Sequence, residues 1–104
     1  MTYLPYYDRE GEQISRDRWI ELWPDLGYRN VSVTAIDDEV WVSTVWLGID
    51  HSFGTPGPPI IFETMIFGGP HDQEQWRYST EAAALAGHDQ AVALASERSA
   101  ARDK

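Results

Sequence analysis

The sequence predicts an α+β fold, an antiparallel sheet of about four to five strands with two helices packed on one face. Three observations lead there. The apolar period switches from helical to strand-like near Asn30 and back to helical near Glu81. The resulting order, two short extended pieces, a helix, four strands and a helix, lacks the regular βαβ alternation that builds a parallel sheet. The 104 residues, 42% of them hydrophobic, suffice for one core and one domain over 1–104. At that size folding buries roughly two-thirds of the unfolded surface without disulfide or metal staples.

The N-terminal 1–14 reads as a hairpin: Tyr3–Tyr7 and Glu12–Ile14 flank Asp8-Arg9-Glu10-Gly11, with Asp first and Gly last as a type I turn prefers. Ser15 caps a helix over 16–23, whose apolar side is Trp19, Ile20, Leu22 and Trp23, and Pro24 and Gly27 end it. Val31–Ile36 and Val40–Ile49, rich in β-branched residues and tryptophan, form a second hairpin around a two-residue loop at Asp38-Glu39. That loop sets Val33 opposite Thr44 and Ile36 opposite Trp41. The Gly- and Pro-rich segment 51–59 is the longest loop. Ile60–Phe67 is nearly unbroken apolar sequence, the signature of a central strand, with Glu63 the exception. Gln75–Tyr78 is a short strand. Ser79 or Thr80 then caps a helix on which Ala83, Ala84, Leu85, His88, Val92 and Ala95 make a narrow stripe of mostly small residues that lies closely on a sheet. The polar tail 97–104 is expected to fray.

Composition removes several functions. With no cysteine there is no disulfide framework, thiolate catalysis or iron–sulfur cluster. Lys and Arg number 8 against 17 Asp and Glu, a formal charge of -9, so a phosphate-tracking, nucleic-acid-binding surface is not expected. The one lysine is Lys104, which leaves Schiff-base and P-loop chemistry without a residue inside the fold. Met1–Glu12 has no apolar stretch behind basic residues, and no apolar run approaches the roughly 18 residues of a membrane span. The expectation is a soluble, cytoplasmic chain without membrane contact.

Asp50 and His51 stand at a strand end leading into the long loop, where a rigid scaffold commonly presents function. Asp50 could orient His51 as a general base, with Ser52 or water as nucleophile. Adjacent residues on an extended chain point to opposite sides, however. Without a turn, Asp50 caps local amides and His51 is a polar loop residue. Glu63 must be paired, protonated or turned to solvent, with Arg77 a natural partner, or else serve beside His51. His88, on the apolar stripe, reads as a core-edge histidine bonded to a carbonyl. His51, His71 and His88 with Glu63 or Asp72 match no metal-ligand spacing, so no metal or cofactor is implied. Trp19, Trp23, Trp41, Trp46 and Trp76 are generous for this length, enough to fill a small core and leave aromatic surface for a partner.

Tyr7-Asp8, Gly11, Ile14-Ser15 and Trp19, then Ser43–Gly54, Gly57–Gly69, Arg77–Glu81 and Ala84–His88, resemble a family of small proteins encoded by bacteriophages that infect actinobacteria. The likeness covers most of 6–90. It implies the cytoplasm of an infected bacterium and lends no activity.

The leading expectation is therefore a non-enzymatic phage accessory protein. It would bind a host protein, a small ligand or a second copy of itself through an aromatic and acidic surface near the 50–59 loop, with Trp46, Asp50, His51, Phe53 and Glu63 as contact residues. The alternative is a small hydrolase or lyase using His51 with Asp50 or Glu63. A weaker one is a DNA-mimicking inhibitor, which would group its carboxylates on one face.

Overall fold

A computed structural model describes residues 5–102, with side chains through residue 97. Helices α1 (Arg16–Leu22) and α2 (Leu26–Arg29) precede four strands, β1 (Asn30–Ala35), β2 (Trp41–Trp46), β3 (Phe62–Phe67) and β4 (Gln75–Tyr78), and helix α3 (Glu81–Arg102) closes the chain. The sheet is antiparallel throughout in the order β1-β2-β3-β4, as the α+β reading requires. Among the described residues no helix is long and apolar enough to cross a membrane.

Local chemistry explains the helix starts. Ser15 accepts the Arg18 amide and Asp25 the Tyr28 amide, each relieving an orphan donor of a first turn. The Asp25 cap starts α2, a helix the sequence reading did not contain, and Gly27 lies within it rather than ending the first helix. The hairpin at 8–11 is present from Pro5 onward, while Tyr3 and Leu4 lie outside the described residues. Tyr7 bridges Gln13, and Asp8 Oδ1 accepts the amides of Glu10 and Glu12. Its first arm docks on the continuation of β2, with Tyr6 bridging Ile49 and the Tyr7 amide donating to Gly48 O.

The β1–β2 register differs from the expected one. Val33 pairs with Ser43 and Ala35 with Trp41, one position from the predicted partners. Asp37 Oδ1 accepts the Glu39 and Val40 amides at 2.8 and 2.9 Å, an Asx-type turn that draws Ile36 to Val40 into the connection and replaces the two-residue loop. A one-residue slip exchanges the faces of a strand. Thr34 consequently points to the covered side and Val33 to the open side.

The core lies between the sheet and α3. Val42, Thr44 and Trp46 alternate inward on β2, as do Phe62, Thr64 and Ile66 on β3. Fully burying an aliphatic or aromatic side chain of this size stabilises by about 1.5–3 kcal/mol. The helix presents Ala84, Gly87, His88, Ala91 and Ala95 to them, while Ala83 and Leu85, both expected on the stripe, face solvent. At Gly87 a Cβ would meet the Tyr78 hydroxyl at 2.0 Å, so glycine admits the close approach of helix to β4. Helix α3 extends to Arg102, into the segment read as a polar tail.

At the other end of the sheet an aromatic cluster seals the core. Trp19 and Trp23 stack at 5.1 Å, Trp23 meets Trp46 at 6.3 Å, and Tyr28 sits edge-on to Trp46 at 4.9 Å. The indole N–H of Trp46 donates to Tyr7 O and that of Trp19 to Leu47 O. Gly48, at φ +75°, is required here, because a Cβ would lie 2.4 Å from Trp46 and 2.5 Å from Trp19.

Candidate functional site

The fold answers first for the residues around the long loop. Asp50 Oδ1 accepts the amides of Ser52 at 2.8 Å and Ile60 at 2.9 Å, and Oδ2 accepts the Ser52 hydroxyl at 2.9 Å. Burial works against the charge of Asp50, but these three donors outweigh it and hold the carboxyl below its ordinary range. Asp50 thus clasps both ends of the loop. His51 turns away, its Nδ1–H donating to Ile49 O at 2.7 Å. Glu63 Oε2 accepts from Arg77 Nε at 2.9 Å, across the β3–β4 pair that sets the two residues opposite each other. No hydrogen bond or ion pair joins Asp50, His51 and Glu63, so each candidate base or acid is engaged with a different partner.

Trp46 is fully buried, which leaves it no surface for a partner. Phe53 is the opposite case, 81% exposed, with its backbone in the left-handed region at φ 51°. That conformation is uncommon for a bulky residue and places an aromatic ring in water beside the edge of His51, 5.6 Å between centroids.

His88 is buried within a chain of hydroxyls. Nδ1 lies 2.7 Å from Thr44 Oγ1, Nε2 lies 2.8 Å from Thr34 Oγ1, and Thr44 Oγ1 is 2.6 Å from Thr64 Oγ1. The expected carbonyl partner is replaced by the hydroxyls of Thr34 on β1 and Thr44 on β2, the latter bonded in turn to Thr64 on β3. A neutral imidazole donates from one ring nitrogen and accepts at the other, and the hydroxyls turn to suit either tautomer. Burial pushes the imidazole below its usual pKa, against a small upward pull from Asp89. His71 bonds to Glu74 on the surface, and among the described residues no cluster of three or more His, Asp or Glu side chains could hold a metal ion.

Two clefts are shallow. One of about 200 Å³ opens between β4 and α3 beside Trp76, Tyr78 and Gln90. Another of about 230 Å³ lies between Arg9, Pro58, Pro59 and the start of α3, bridged by the Arg9–Glu81 ion pair at 2.7 Å. Both fall below the roughly 300–1,000 Å³ usual for small-molecule sites.

The feature the sequence reading located only loosely is the other side of the sheet. The helices and the described N-terminal residues pack on the face of Val42, Thr44 and Trp46. Among the described residues nothing covers the face of Val33, Trp41, Val45, Met65 and Phe67. Val33 is 57% and Trp41 42% exposed, and Trp41 stacks on Phe67, its partner across the β2–β3 pair, at 5.1 Å and 12°. The Glu63–Arg77 ion pair lies on this same face, toward the end of the sheet nearer the 51–59 loop. Comparison with protein-family models, curated proteins and solved structures returned no match.

Proposed function

We propose that the chain is a non-enzymatic accessory protein, phage-encoded as its sequence resemblance implies, that works by binding another protein through the uncovered sheet face. The observation that carries this reading is that apolar face, with Val33 and Trp41 open to water and Trp41 stacked on the half-buried Phe67 in an otherwise acidic chain. Contiguous apolar surface of this kind marks interaction sites, and aromatic residues dominate the energetics of interfaces. The exposed Phe53 ring keeps the 51–59 loop in the contact surface, whereas Asp50 is spent on holding the loop. Two shallow clefts and three unconnected catalytic candidates give an enzymatic reading no comparable support.

The test is a tagged pull-down from actinobacterial lysate at moderate salt, with untagged chain co-expressed and mass spectrometry of everything retained. Wild type is compared with Val33→Asp and Trp41→Ser. The proposal expects proteins retained by wild type, the untagged chain included, to be lost from both variants. Identical retained sets for all three would overturn it.

A further inference from the structure

Building on the proposed binding role of the sheet face, we infer that the occupant of that face is a second copy of the chain, packed sheet against sheet about a two-fold axis. Shape argues for this first. The face is a four-stranded antiparallel surface, its register shifted once in β1 between Asn30 and Ser32, and the clefts described above open elsewhere. Two such faces pack about 10 Å apart with their strands within about 30° of each other.

Charge argues the same way. The chain carries -9 overall, so two copies repel each other on approach. The open face is where that repulsion is least, because among the described strand residues its acid, Glu63, and its base, Arg77, neutralise each other and the remaining side chains are uncharged. A two-fold axis lets the pair be shared between copies without leaving a charge unpaired. An acidic or basic partner would find nothing complementary there.

Size sets the strength. Three strands of six residues and one of four, about 4.8 Å apart and about 3.3 Å per residue, give a face of roughly 350 Å² in projection. Side-chain relief raises the accessible area toward the low end of specific interfaces, about 600 Å² per partner. The dimer is accordingly reversible, with a dissociation constant on the order of 1–100 μM.

Sedimentation equilibrium of the full chain across the micromolar range tests this, with near-UV circular dichroism confirming that each variant is folded. Wild type should dimerise. Val33→Asp, at a position open enough to tolerate the change, and Arg77→Glu should each raise the dissociation constant about 10-fold or more, since every substitution enters a two-fold interface twice. The double exchange Glu63→Arg with Arg77→Glu should restore association to within about 3-fold of wild type, because it preserves neutrality. A wild type that stays monomeric overturns the inference. So does a dimer indifferent to Val33→Asp, which would place the contact elsewhere, such as the open edge of β1. If wild type is monomeric but Val33→Asp and Trp41→Ser still lose a lysate protein, the proposed function stands without the second copy. If the retained proteins are indifferent as well, both fall.

Discussion

Replacing Thr44 with valine removes one oxygen from the centre of the buried chain Thr64–Thr44–His88–Thr34 while keeping nearly the same volume. Two groups lose their partner at once, the Thr64 hydroxyl and Nδ1 of His88, both on residues that are essentially inaccessible to water. A buried polar group left unsatisfied costs about 1–3 kcal/mol, so Thr44→Val, which strands two, should destabilise the fold by about 2–6 kcal/mol. That is a large share of the 5–15 kcal/mol typical of a domain and corresponds to a fall in Tm of at least about 8 °C. Urea unfolding followed by tryptophan fluorescence measures it, with the slope against urea unchanged if the native state is intact. Converting Thr44→Val, Thr64→Val and His88→Leu together should cost less than the sum of the single changes, because only the half-buried Thr34 hydroxyl then loses its partner. A loss below about 0.5 kcal/mol for Thr44→Val alone would refute the view that these hydroxyls and the imidazole act as one bonded unit.

His88 also predicts a pH dependence. Its folded pKa is lowered, first by burial, so the unfolded chain takes up the proton first as pH falls. The stability due to the neutral ring is complete above the ordinary value of 6.5 and declines below it by up to about 1.4 kcal/mol per pH unit until the folded pKa is reached. His88→Gln should flatten that slope in chemical denaturation repeated between pH 7 and pH 5. Asp50→Ala should cost about 1–2 kcal/mol through loss of its three hydrogen bonds and speed proteolytic cleavage within 51–59, read by mass spectrometry; unchanged cleavage would count against Asp50 as the clasp. For Asp50, with its carboxyl held low, stability is present above the ordinary aspartate pKa and is lost as pH falls through the folded value, below the window of His88. Gly87→Ala should destabilise by about 1–3 kcal/mol despite the roughly 1 kcal/mol gain in helix propensity, since the new methyl meets Tyr78 at 2.0 Å; a rise in Tm would contradict the tight helix–sheet contact.

Much of this fold was legible because its signals are local. The β-branched and tryptophan-rich run of 40–49, the nearly unbroken apolar run of 60–67, the Ser15 cap and the Gly/Pro punctuation after Asp50 place the elements to within a few residues. The Glu63–Arg77 pair was legible too, since a carboxylate in an apolar strand needs a base within reach. What escaped depends on side chains answering the backbone. The Asp37 carboxylate sets the length of the β1–β2 connection, and through it the register that sends Thr34 inward and Val33 outward. The partners of His88 lie 44 and 54 residues away in sequence, on strands whose facing depends on that same register. Trp46 and Trp41 look alike in a strand pattern of mixed apolar residues. Only the side on which α3 docks separates the buried ring from the exposed one.

The account rests on the sheet face of Trp41, Met65 and Phe67 being a contact surface rather than bare exterior. Hydroxyl-radical footprinting of the full chain, first dilute and then concentrated or bound to whatever protein it retains, reads these three side chains directly. The account predicts that they oxidise readily in the dilute chain and are protected in the associated one. Equal oxidation of all three in the two states would contradict it.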